Sequence, residues 1–95
     1  MKLFKCFIAG ENFPGELIEE NELIGFYTTR YVEASTIEEA EIRALENLRN
    51  EERLKLPDGV KPSENAKVYF EQIEEVSPDD APEIDLGFSF YIMGT

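Results

Sequence analysis

Histidine is absent from this 95-residue sequence, and so is tryptophan. Histidine is the commonest general base in enzymes and the commonest metal ligand, so its absence excludes nucleophilic sites and zinc sites that depend on histidine. Carboxylate chemistry remains open, but with twenty-one acidic residues no spacing singles out one pair. We therefore expect a protein that is not an enzyme and that holds no metal ion or cofactor.

The chain has a single cysteine, Cys6, so an intrachain disulfide cannot form. Cys6 lies in an apolar stretch and has no histidine to stabilise a thiolate, which predicts a buried structural residue and not a nucleophile. The N-terminal residues also lack the apolar stretch and the small-residue cleavage site of a signal peptide. We therefore expect the protein in the cytoplasm.

Basic residues are scarce, because nine lysines and arginines stand against twenty-one acidic residues and leave a net charge of −12. A field of this sign repels a phosphate backbone and an anionic lipid surface, so we expect neither nucleic-acid binding nor membrane binding. No apolar run approaches the roughly 20 residues that a membrane-spanning helix needs. An acidic surface instead favours solubility or a basic protein partner.

The residues that are present suffice for a hydrophobic core, since apolar residues make up 42% of the chain and aromatic residues 12%. A chain of this length favours a single domain over residues 1–95. Apolar runs and alternation predict four main strands, which cover residues 2–9, 23–33, 66–76 and 86–93. A repeated Glu-Leu-Ile triplet also predicts a short additional hairpin over residues 16–24.

Two of the strands carry further information. The first is apolar at both odd and even positions, which is typical of a central strand that is covered on both faces. In the third strand Val68 and Phe70 alternate correctly but Ile73 is out of phase. A β-bulge near Glu71 or Gln72 would restore the alternation.

One amphipathic helix is predicted between the second and third strands. Its start is indicated by Thr36, whose hydroxyl can accept from a free backbone amide, and by Glu39 three residues later, which completes a capping box. Apolar residues then recur at three- and four-residue spacing: Ile37, Ala40, Ala44, Leu45 and Leu48. The Pro57-Asp58-Gly59 sequence stops the helix, which gives predicted bounds of 37–54.

The predicted element order is therefore β-β-α-β-β. We predict an α+β fold of two layers, in which the helix packs on one face of a mainly antiparallel four-stranded sheet. A right-handed helical crossover makes the second and third strands parallel, and the first strand fits between them. The predicted strand order is 2-1-3-4.

A single helix covers only one face of the sheet, and the four tyrosines alternate onto the other. We predict that this uncovered face is an interface, because tyrosine is amphipathic and common in interfaces. Its alternative is a wet sheet face that tyrosines simply tolerate. The candidate interface residues are Tyr27, Thr29, Tyr31, Tyr69, Ser89, Tyr91 and Met93.

Two further residues are candidates for contact with an anionic ligand. Arg30 lies in the middle of the second strand, where it either forms an ion pair with a neighbouring carboxylate such as Glu74 or recognises an anion. Phe13 follows the first strand and either packs against the sheet edge or covers a ligand. A small-ligand site between Phe13 and Arg30 is thus a hypothesis.

The stretch from Tyr31 to Leu48, with its Val-Glu-Ala strand end and its Ser-Thr-Ile-Glu-Glu-Ala helix start, resembles a junction found in many small α+β domains, HicB-like antitoxins among them. The resemblance covers less than a fifth of the chain and transfers no functional residue. Our leading hypothesis is a non-catalytic interaction module that forms a homodimer through the tyrosine-bearing face. The alternatives are an acidic, antitoxin-like inhibitor of a basic partner and a binder of small anionic ligands.

Overall fold

The computed structural model describes residues 1–82 and 87–93. It confirms the two-layer α+β fold, with one α-helix on a four-stranded antiparallel sheet. Among the described residues, no helix has the length and apolarity needed to cross a membrane. The elements are β1 (Lys2–Phe13), β2 (Ile24–Ala34), α1 (Ile37–Arg49), β3 (Lys67–Val76) and β4 (Phe88–Ile92).

The strand order is β3-β1-β2-β4, and all three neighbouring pairs are antiparallel. The central position of β1 and its pairing with β2 and β3 agree with the prediction. The predicted order 2-1-3-4 is wrong for the last strand, which pairs with β2 and not with β3. Aromatic packing explains this choice, because Phe88 and Phe90 lie against the Phe26 ring of β2, with centroids 5.3 and 6.2 Å away.

The last strand, β4, begins at Phe88 within the described residues. The predicted strand began at Leu86, which lies outside them. From Phe88 onward β4 keeps the predicted alternation, with Phe88 and Phe90 on the same side of the sheet as Phe26.

The core lies between α1 and one face of the sheet. Its centre is formed by Phe4, Cys6 and Ile8 of β1, which are 3%, 0% and 0% exposed. The helix contributes its small and apolar stripe, and β3 adds Val68, Phe70 and Ile73 at the margin. The burial of Cys6 agrees with its predicted structural role.

A β-bulge in β3 allows its apolar residues to reach this core. Gln72 is opposite Phe7, and Phe70 is opposite Ile8, so Glu71 is the extra residue between them. An extra residue shifts the alternation by one position, and Ile73 therefore faces the core together with Phe70. The predicted bulge is confirmed at Glu71.

The helix begins as predicted but ends earlier. The Thr36 hydroxyl accepts from the backbone N–H of Glu39 at 3.1 Å, as an N-cap does. The helix ends at Arg49 and not at residue 54, and Glu52–Leu54 forms a separate 3₁₀ turn. Glu51 explains the break, because its carboxylate binds a side chain of the sheet and its backbone is extended, with φ −79° and ψ 120°.

The predicted hairpin at 16–24 is wrong. Residues Gly15–Ile18 form a 3₁₀ turn, and the segment simply connects β1 to β2. Pro14 has no N–H to donate to a strand pair, and its carbonyl accepts from Leu17 at 3.2 Å. Gly15 is required in this compact turn, because an added Cβ would overlap the carbonyl oxygen of Glu22.

Candidate functional site

The sheet face opposite α1, which we call the open face, carries all four tyrosines. The strand register places Tyr27 and Tyr69 on either side of Ala9, and it places Tyr31 beside Lys5. Tyr91 of β4 lies opposite Gly25. The structure therefore brings the predicted tyrosines from three strands onto one surface.

Three aromatic rings on this face are stacked. The Tyr27 ring lies between those of Phe7 and Tyr91, with centroids 5.5 Å from each and interplanar angles of 12° and 25°. Gly25 makes room for the stack, because an added Cβ there would overlap the Tyr91 ring. Tyr27 remains 40% exposed despite these two contacts. The stack thus presents a large amphipathic side chain to solvent.

Tyr69 extends the aromatic surface across β1. Ala9 lies between Tyr27 and Tyr69 and is only 1% exposed, so the two large side chains cover it. The Tyr69 hydroxyl donates to Glu11 at 2.7 Å, and Lys67 binds the same carboxylate at 3.3 Å. We call Phe7, Tyr27, Tyr69 and Tyr91 the aromatic cluster.

The hydrogen bond between Tyr69 and Glu11 shifts the pKa values of both side chains. It raises the pKa of Tyr69 to about 12, because the bound carboxylate stabilises the protonated hydroxyl. The bonds from Tyr69 and Lys67 lower the pKa of Glu11. This corner of the open face therefore holds a tyrosine hydrogen-bonded to a carboxylate that also forms an ion pair with Lys67.

The remaining predicted interface residues are divided. Thr29 is opposite Phe7 and Ser89 is opposite Tyr27, so both belong to the open face. Met93 lies beyond the end of β4, where its backbone N–H donates to Leu23 at 2.9 Å and its sulfur accepts from the Asn12 amide at 3.0 Å. Met93 thus lies at the end of the sheet, two residues beyond Tyr91 of the aromatic cluster.

Phe7 is the member of the aromatic cluster that was not named from the sequence. Its signal was present, because β1 is apolar on both alternation sets and one set must face away from the helix. Ile8 beside it belongs to the other set and is fully buried in the core. The apolar residues at odd positions of β1 thus indicated both that this strand is central and that the open face has apolar residues.

Charge on the open face is mixed, unlike that of the chain as a whole. The register places Lys5 and Lys67 on this face together with Glu11, Glu33 and Glu74, and the charge of Glu71 in the bulge also acts on Tyr69 and Tyr91. Lys67 and Glu11 neutralise each other. The excess of acidic residues therefore lies mainly elsewhere, including the solvent side of α1.

Arg30 lies on the other face, beneath the end of α1. Its guanidinium donates to the Glu51 carboxylate at 3.1 Å and to the Asn47 side-chain oxygen at 3.2 Å. The predicted partner Glu74 is wrong, because Glu74 is opposite Lys5 on the open face, whereas Arg30 is opposite Cys6 on the helix side. An ion pair is present, but a residue of the helix connection supplies its carboxylate.

Glu51 joins two arginines in one cluster. It accepts from Arg53 at 2.9 Å as well as from Arg30, and both guanidinium groups lie about 5 Å from the Phe88 ring centroid. The hydrogen bonds from Arg53 and then Arg30 lower the pKa of Glu51 to about 2. The Arg30 and Glu51 side chains are 13% and 15% exposed, whereas that of Arg53 is 40% exposed, so only the Arg30–Glu51 pair is largely internal.

Phe13 and Arg30 do not form a common site. Phe13 pairs with Ile24, whereas Arg30 lies six residues further along β2, a separation of roughly 20 Å along a strand. Phe13 packs edge to face on Phe26 with centroids 5.0 Å apart. The two residues are therefore too far apart to line the single ligand site that the sequence suggested.

Comparisons with known proteins give no match: no protein-family model, no curated protein and no solved structure matches this chain. Within residues 1–82 and 87–93, no group of three or more cysteine or acidic side chains is placed to hold a metal ion. The features that bear on function are thus the aromatic cluster, the ion cluster around Glu51 and the cavities near Phe13.

Proposed function

We propose that this protein is a non-catalytic interaction module that forms a homodimer through the open face. The observation that carries the proposal is the aromatic cluster on a sheet face that α1 leaves uncovered. Two of its members, Tyr27 and Tyr69, are 40% and 36% exposed. Tyrosines of this kind bury large area at a small entropic cost and are enriched in the cores of interfaces.

The size of the open face supports a specific contact. Four strands about 4.8 Å apart, most of them paired over about ten residues, cover on the order of 600 Å². A specific interface buries at least about 600 Å² on each partner. The open face therefore reaches this limit only if most of it is used, which favours a flat contact between two sheets.

Charge favours a second copy as the occupant. Two chains of net charge −12 repel each other, so they can associate only through surfaces that carry little of that charge. The open face meets this condition, because Lys5 and Lys67 lie among its acidic residues. A two-fold axis that passes between these lysines and the acidic residues would pair the two across the interface twice.

The proposal is tested by light scattering behind size exclusion. We expect a mass near twice the 10.9 kDa of the chain at high micromolar concentration. Tyr27→Glu places a carboxylate in the aromatic cluster and should give a monomer. The matched control is Ile42→Glu, which adds the same charge at a residue that is 58% exposed on α1, and should leave the dimer intact.

A monomeric parent protein at high micromolar concentration would contradict the proposal, and so would a Tyr27→Glu variant that still dimerises. Circular dichroism and the melting temperature show whether the variant folds. If it does not fold, Tyr69→Glu provides the same test at the other exposed ring, which lies outside the stack of Phe7, Tyr27 and Tyr91.

A basic protein partner is the second candidate function, and it is supported by a different surface. Glu38, Glu41 and Glu46 are all exposed along α1. Such a surface attracts basic partners at a rate that falls with ionic strength. Binding that is insensitive to salt would argue against this candidate.

A further inference from the structure

A cleft of about 340 Å³ lies between the last turn of α1 and the sheet. Its walls are Leu45 and Leu48 of the helix, Leu54 of the following 3₁₀ turn, and Phe13 and Val68 of the sheet. A second cavity of about 240 Å³ shares Phe13 and Leu54 with the first, so the two adjoin. Ligand sites in proteins are apolar cavities of roughly 300–1,000 Å³, and the larger cleft falls in this range.

The charge around the two cavities is opposite to that of the chain. None of the described residues that line them is acidic, although the chain has twenty-one acidic residues. Among the described lining residues, the one that is charged is Arg49, at the C-terminal end of α1. An anion is thus the one kind of charged group that this cleft would attract.

Arg49 is available for such a contact. The other three arginines each have a glutamate oxygen at about 3 Å: Arg30, Arg43 and Arg53. No carboxylate within residues 1–82 and 87–93 lies within 4.0 Å of Arg49. The planar guanidinium group of arginine matches planar anions such as carboxylates. Arg49 lies at an apolar cleft and has no such partner among the described residues, so a ligand carboxylate could bind it.

We propose that the cleft binds a small amphipathic carboxylate, of the type of a medium-chain fatty acid. The alkyl chain lies between Leu45 and Leu54 and against Phe13, and the carboxylate meets the Arg49 guanidinium. Because Arg49 is exposed, the ion pair sets the direction of the ligand while burial of the alkyl chain supplies most of the affinity. This site lies on the helix side of the sheet and is independent of the proposed dimer.

Titration calorimetry with octanoate, decanoate and dodecanoate tests the proposal on the full chain. Each CH₂ group that enters the cleft should tighten binding about fourfold, so each step of two carbons should tighten it about sixteenfold. Arg49→Gln should weaken decanoate binding at least about threefold and leave decanol binding unchanged. Arg43→Gln is the matched control, because Arg43 is paired with Glu39, and should not change decanoate binding.

Two binding results, and one location of the ligand, would overturn the proposal. One is the absence of decanoate binding at millimolar concentration, and the other is binding that Arg49→Gln and Arg43→Gln weaken equally. Backbone amide shifts in the NMR spectrum locate the ligand: Leu45 and Leu54 should respond, whereas shifts confined to the aromatic cluster would contradict the site. Tyr27→Glu should bind decanoate like the parent protein, so failure of the dimer leaves this test intact.

Discussion

The ion cluster around Glu51 should contribute measurably to the stability of the protein. The substitution Glu51→Gln measures the part of this contribution that depends on the charge of the Glu51 carboxylate. The substitution keeps the shape of the side chain but leaves two guanidinium groups, of Arg30 and Arg53, without their shared carboxylate. Removing one partner of a fully buried pair costs about 3–5 kcal/mol, whereas exposed pairs contribute about 0–1 kcal/mol. Because the Arg30 and Glu51 side chains are 13% and 15% exposed, we expect a loss of about 1–2 kcal/mol at neutral pH.

The dependence of this loss on pH follows from the lowered pKa of Glu51. Its pKa falls from the ordinary 4.5 to about 2 on folding, so the folded protein holds the ionised form more tightly. The contribution is therefore fully present above about pH 4.5 and is lost as the pH falls toward about 2. The difference in stability between the parent protein and Glu51→Gln should accordingly shrink between these two values.

Urea denaturation, followed by circular dichroism at neutral pH and at about pH 3, measures both effects through the free energy of unfolding. Glu52→Gln is the matched control, because Glu52 is adjacent, 87% exposed and paired only with Lys55 at 3.6 Å among the described residues. It should change the free energy of unfolding by less than about 0.5 kcal/mol. Equal losses for the two variants, or a Glu51→Gln loss that is independent of pH, would refute the reasoning.

Two further predictions concern the core. Gly10→Ala should destabilise the protein by about 1–3 kcal/mol, because the new Cβ would overlap the ring of Phe26, which is fully buried and cannot move aside. An unchanged melting temperature would contradict this prediction. Burial, together with the charge of Glu41, raises the pKa of the Cys6 thiol to about 11. Ellman's reagent at mildly alkaline pH should therefore modify Cys6 slowly in the folded protein and rapidly in guanidinium. Equal rates of modification would show that Cys6 is accessible.

Local signals in the sequence were sufficient for several elements of the fold. Thr36 starts the helix because one hydroxyl and one amide three residues later settle the local geometry. The bulge at Glu71 followed from alternation alone, since Ile73 could reach the core only with one extra residue before it. Alternation likewise placed Tyr27, Tyr31, Tyr69 and Tyr91 on one face of their strands.

Features that depend on contacts between distant segments could not be predicted in the same way. The position of β4 depends on Phe88 meeting Phe26, and alternation within β4 does not identify the neighbouring strand. One signal for it was present: Gly25 interrupts an otherwise bulky strand, and a glycine in a strand often marks the close approach of another group. In the structure that group is the ring of Tyr91.

The end of the helix at Arg49 also determines whether the cleft exists. Leu45 and Leu54 are nine residues apart, which is two and a half turns of an α-helix at about 3.6 residues per turn. If the helix continued to residue 54, as the Pro57-Asp58-Gly59 stop predicts, these two side chains would lie on opposite sides of it. They line one cavity because the chain leaves the helix after Arg49, and Glu51 holds it there through Arg30. The contact that the sequence could not reveal therefore shapes the proposed ligand site as well as the fold.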